Sequence, residues 1–99
     1  MYVCTLYAQG VNNNCKIILK PLNAGNITII ILSVDKQNLN ATIKISEEVL
    51  CLCQGAIINY DWGDIRISQI KYHSCRLAIN VNNTTKIINT NKFRRDAKS

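Results

Sequence analysis

The sequence predicts a mainly β chain, a single small antiparallel β-barrel or sandwich with at most one short helix at about residues 46–54. Three observations predict it. The hydrophobic share is 47% and isoleucine dominates it; side chains branched at the β-carbon pack well on a pleated surface. Apolar and polar residues alternate with a period of two, the pattern of strands buried on one face. Clusters of Asn, Asp, Gly and Pro break the alternation at short, regular intervals, as turns do in small all-β domains.

In chain order, Tyr2, Cys4 and Leu6 alternate with Val3, Thr5 and Tyr7, and residues 9–14 form a turn region. Cys15, Ile17 and Leu19 alternate with Lys16, Ile18 and Lys20 until Pro21, which lacks the N–H a central ladder needs. After a turn at Asn23-Ala24-Gly25-Asn26, residues 27–34 are apolar on both sides, the signature of a central strand covered on two faces. Residues 35–39 are a polar connection, and Ile43 and Ile45 then alternate with Thr42, Lys44 and Ser46.

Residues 46–55 admit two readings. In the preferred one, Ser46 caps a short helix, Glu47 and Glu48 occupy its first turn, and Gly55 ends it. In the other, Glu47-Glu48 is a turn and Val49 to Cys53 a strand bent at Gly55. Residues 56–60 are a strand, and Asp61-Trp62-Gly63-Asp64 is a tight turn with glycine where positive φ is expected. Ile65 and Ile67 point inward against Arg66 and Ser68; the inward set then shifts to Ile70 and Tyr72, which implies a bulge near Gln69. Cys75, Leu77, Ile79 and Val81 alternate with Arg76, Ala78, Asn80 and Asn82. A turn at Asn82-Asn83 leads to a last strand over 85–89. Residues 1–91 thus read as one β-rich domain of seven to nine strands, and 92–99 as a basic C-terminal tail.

At 99 residues the chain has material for one core. No run approaches the ~20 apolar residues of a membrane span, and the first residues lack the pattern of an export signal. A cytoplasmic location without membrane contact is therefore expected. The five cysteines, Cys4, Cys15, Cys51, Cys53 and Cys75, read as reduced thiols buried as small hydrophobes.

The net charge is +6 and unevenly spread. Residues 1–50 hold four Lys/Arg against three Asp/Glu, and residues 51–99 hold eight against three. Such asymmetry points to an anionic partner for one face. If the late strands alternate as described, Arg66, Lys71, His73 and Arg76 emerge on one side, with Tyr60 and Trp62 at its edge. Cations beside rings on which bases stack are what a sequence-tolerant nucleic-acid or nucleotide surface requires; the plain alternative is a solvated sheet face.

The leading expectation is a non-enzymatic binding protein that contacts nucleic acid or an anionic nucleotide through this face. One alternative is a virus- or phage-type accessory protein acting on a host or partner protein. Exposed sheet edges fit homodimerisation in either case. A small hydrolase or metal enzyme is the third reading, resting on His73 with Asp61 and Asp64, or on Cys51, Cys53, His73 and Cys75 as zinc ligands. No phosphate loop, nucleophile elbow or metal-binding histidine pair occurs, and nothing in the sequence demands a cofactor.

Overall fold

In a computed structural model of the protein, residues 1–90 are described. The basic tail expected at 92–99 lies outside them. The described residues form nine strands: β1 (Tyr2–Tyr7), β2 (Ile17–Lys20), β3 (Ile27–Asp35), β4 (Asn40–Ile45), β5 (Glu48–Cys53), β6 (Ile57–Tyr60), β7 (Gly63–Ile70), β8 (Ser74–Val81) and β9 (Lys86–Asn89). They build two antiparallel sheets, one ordered β1-β8-β7-β6 and the other β5-β4-β3-β2-β9. The sheets pack as a sandwich and not as a closed barrel, with β3 facing β8 and β1 across the core. No helix among the described residues is long and apolar enough to cross a membrane.

Period-two alternation explains the packing. Inward positions supply Leu6, Ile17, Leu19, Ile29, Ile31 and Ile43 from one stretch of chain and Ile65, Ile67, Ile70, Leu77 and Ile79 from the other, all fully buried. Each such side chain contributes roughly 1.5–3 kcal/mol on burial. Register keeps like with like: Ile29 pairs with Ile45, Ile31 with Ile43, and Ile65 with Ile79.

The chain passes between the sheets at a corner. The Gln54 N–H donates to Leu39 O of the five-stranded sheet (2.9 Å), and the Gly55 N–H donates to Ile67 O of the other (2.7 Å). Gly55 holds φ at +91°, a left-handed conformation that glycine adopts without strain. A second link forms where the Gln9 N–H donates to Ile31 O at 2.8 Å.

Three expectations are corrected. Residues 46–54 contain no helix: Ser46 and Glu47 are a two-residue turn, with Ser46 at φ +55°, and β5 follows. Leu50 and Leu52 pair inward with Ile43 and Ala41, so the period of two decides against the capping signal. The strand at 27–34 is central in its sheet but covered on one face only. Ile27, Ile29 and Ile31 are buried while Ile30 and Leu32 face out, because the described residues make two layers and no third. Tyr72 does not point inward; it is 75% exposed. The phase shift at the end of β7 is real, a bulge between Ile67 and Gln69 that turns Ile70 inward. The chain then reverses at once, the Lys71 N–H donating to Ser74 O at 2.9 Å, so Tyr72 lies in the turn.

Gly63 opens β7 at φ +151°. A Cβ there would lie 2.0 Å from the Asn80 carbonyl oxygen on β8, closer than any side chain tolerates.

Candidate nucleic-acid interface

The β7–β8 hairpin carries four of the six expected site residues, in two places. Arg66 and Arg76 emerge from the outer face of the four-stranded sheet and line one shallow cleft of about 390 Å³ with Val3, Ile57 and Ala78. Lys71 and His73 lie beyond the strands in the exposed turn, on either side of Tyr72. Lys36 joins this tip, its Nζ donating to Ile70 O at 3.3 Å. Tyr60 and Trp62 sit at the other end of β7, roughly 25 Å away at strand rise.

The arginine face is partly neutralised. Arg66 Nε lies 3.9 Å from Asp64 Oδ1, and Asn80 Nδ2 donates to Asp64 Oδ2 at 3.4 Å. Asp64 Oδ1 is buried and accepts no hydrogen bond among the described residues, so the guanidinium is its nearest compensation. With the Arg66 side chain half exposed, the pair is worth about 0–1 kcal/mol. Its main effect is that, of the two arginines in that cleft, Arg76 is the one without a carboxylate partner among the described residues.

Tyr60 and Trp62 stack on each other, with centroids 4.8 Å apart and planes 9° from parallel. Each ring thereby covers one face of the other. The pair packs against the core beside Ile27 and Ile45, lining an open cleft of about 540 Å³ with Glu47 and Glu48. The Tyr60 hydroxyl donates to Glu48 Oε1 at 3.2 Å. Burial first, then the Glu48 charge and this hydrogen bond, raise the Tyr60 pKa. The geometry is that of a lid over the core with acidic neighbours. Among the described residues, the exposed ring beside cations is Tyr72.

A second cationic surface, absent from the sequence-based expectation, lies on the outer face of the five-stranded sheet. β2 contributes Lys20, with Lys16 just before it; β4 contributes Lys44 and β9 contributes Lys86. Each alternates with buried neighbours (Cys15, Ile17 and Leu19; Ile43 and Ile45; Thr85), so all four point the same way. Lys20 and Lys86 are directly opposite in register. Like charges facing across a strand pair are destabilising, by roughly 0.2–1 kcal/mol on the scale of cross-strand pairs. Half-exposed aliphatics fill the space between: Ile18 pairs with Ile88, and Ile30 with Lys44.

The strand carboxylate on this face is Asp35, at the far end of β3, occupied by the backbone N–H and the side-chain amide of Asn38 (3.1 and 2.7 Å). Those hydrogen bonds hold its pKa below the ordinary value. Glu47 stands in the β4–β5 turn at the corner near Lys44.

The constellations proposed for chemistry do not converge. Asp61 and Asp64 stand at the start of β7 and His73 beyond its end. Cys51 and Cys53 belong to one sheet and Cys75 to the other; Cys4, Cys15 and Cys75 are buried as expected, whereas Cys51 and Cys53 are exposed because they alternate outward on an edge strand. Among the described residues, no group of three His, Cys, Asp or Glu is placed to hold a metal ion. Compared with protein families, with curated proteins and with solved structures, the chain matches none.

Proposed function

We propose that the protein is a non-enzymatic binder of nucleic acid that works by phosphate contact through the lysine face of the five-stranded sheet. The observation that carries this reading is the direct opposition of Lys20 and Lys86 on adjacent strands. The register starts the two lysine side chains side by side on one face, where a single bridging anion would remove the repulsion between their charges. Lys16 and Lys44 extend the cationic field on either side of Ile30. With aliphatic side chains and, among the described residues, no ring between the lysines, the surface suits backbone contact and not base readout, so binding is tolerant of sequence.

The experiment is a fluorescence-anisotropy titration of a labelled single-stranded oligonucleotide over a range of salt concentrations. Four phosphate contacts give a log–log slope of about −3. Replacing Lys20 and Lys86 by Gln should halve that slope, and an unchanged slope would count against the reading.

A second reading is favoured by Ile18, Ile30 and Ile88, the aliphatic ground between the lysines. It is a cytoplasmic accessory protein of the virus or phage type, whose face meets an acidic host protein. It predicts a complex that survives nuclease, and a salt response too shallow for several phosphates.

A further inference from the structure

We infer that β5 is a self-association edge, through which two copies of this chain pair antiparallel and join their five-stranded sheets into one. This does not depend on the proposed ligand.

β5 reads Glu-Val-Leu-Cys-Leu-Cys and forms one edge of its sheet. Natural edges are blunted by short length, by lysine, by proline, by a bulge or by cover from another element. The other three edges use such devices. β6 and β9 have four residues each, and β9 carries Lys86. Along β1 the Tyr7 N–H donates to Cys15 Sγ (3.2 Å), and the Tyr2 hydroxyl accepts from Asn89 Nδ2 (2.8 Å). Past Glu48, the inward charge at its first position, β5 uses none among the described residues: Val49–Cys53 keep an unbroken register with β4 and carry no charge, lysine or proline. Val49 is 55% exposed, and Cys51 and Cys53 are exposed free thiols.

Backbone direction makes this edge usable. In an antiparallel ladder alternate residues turn their N–H and C=O toward one neighbour. The Gln54 N–H donates to Leu39 O on the β4 side, so even-numbered residues of β5 face β4. Val49 and Cys51 therefore present both backbone groups to the open side.

The occupant is a second copy because the strand is complementary to itself. Pairing about Cys51 sets Cys51 against Cys51 of the partner subunit and Val49 against the partner subunit's Cys53 on the outer face. Leu50 meets the partner subunit's Leu52 on the inner face. The strand's one charge, Glu48, falls opposite Gln54 of the partner subunit, so no like charges meet. Inner and outer faces stay matched across the junction, as an isologous two-fold interface requires. The lysine faces of both copies then form one continuous surface.

The test needs no nucleic acid. In reducing buffer, sedimentation of the wild-type protein should give a dimer. Cys51→Lys, whose new side chain points into solvent opposite Thr42, should give a monomer with the same circular dichroism and a melting temperature that, unlike the wild type's, does not rise with protein concentration. Hydrogen exchange on the wild-type protein supplies a readout independent of any variant's folding: the Val49 and Cys51 amides should exchange at least about tenfold more slowly at high than at low protein concentration. A wild-type monomer with fast-exchanging edge amides, the result expected if another protein's strand is the natural occupant, overturns the inference. So does a dimer that persists in Cys51→Lys, or one that disappears with reductant.

Discussion

The two outer faces of the sandwich carry cations in different ways. On the four-stranded sheet Arg66 is matched by Asp64, Arg76 stands beside it without a carboxylate, and Lys71 adds its charge beyond the strand ends. On the five-stranded sheet four lysines share a face whose strand carboxylate, Asp35, stands at the far end and is held by Asn38. The first arrangement resembles an ordinary solvated surface in which a neighbouring carboxylate limits the field. The second keeps a repulsion that folding alone does not need. A residue pattern that costs stability and is left uncompensated indicates where a ligand acts better than a count of charges does.

The largest effect that separates the two faces is structural. Gly63→Ala drives a Cβ against the Asn80 carbonyl, where β7 meets β8 beneath the arginine face. It should lower the unfolding free energy by about 3 kcal/mol or more in a urea titration. High pH attacks the same sheet. Burial pushes the Cys4 thiol of β1 up to about 12 and the Cys75 thiol of β8 up to about 11, from an ordinary 9.0. A raised folded-state pKa means that stability is whole below 9.0 and lost as pH climbs through 11 to 12, since the unfolded chain ionises first. Urea midpoints should fall over that window, and less steeply in Cys75→Ala.

Binding effects come next in size. Lys20→Gln with Lys86→Gln should weaken oligonucleotide affinity on the order of 25-fold at moderate salt, as two lost phosphate contacts imply. Removing the facing charges should also raise the melting temperature slightly at low salt, by the equivalent of roughly 0.2–1 kcal/mol. A variant that binds worse and melts higher distinguishes a functional repulsion from a structural defect. The smallest effect belongs to Arg66→Gln with Arg76→Gln, expected to cost less than about fivefold in affinity, a single contact's worth. If that pair outweighs the lysine pair, the ranking of the faces reverses.

Local periodicity carried most of the fold. The alternation around Ile17, Ile43, Ile65 and Leu77 marks the inward positions correctly, and the phase shift near Gln69 marks a true bulge. Where two local signals competed, at Ser46 to Gly55, the capping residues were misleading, because Leu50 and Leu52 had partners in Ile43 and Ala41 that only the pairing reveals. Tyr72 failed for a similar reason: alternation continues on paper where the chain has already turned. The lysine face was the least legible feature. The pattern around Lys16, Lys20 and Lys44 shows that each points outward. That β9 returns from the end of the chain to lie beside β2, setting Lys86 against Lys20, is a non-local pairing that no window of sequence contains. Tyr60 and Trp62 were identified as notable rings, but their mutual stacking depends on the turn between them.

The most direct test is to titrate isotopically labelled protein with a short oligonucleotide and follow amide chemical shifts residue by residue. The account predicts changes concentrated at Lys16, Lys20, Lys44 and Lys86 and their neighbours Ile18 and Ile88. Changes centred instead on Arg66, Lys71 and Arg76, or no changes at saturating oligonucleotide, would contradict it.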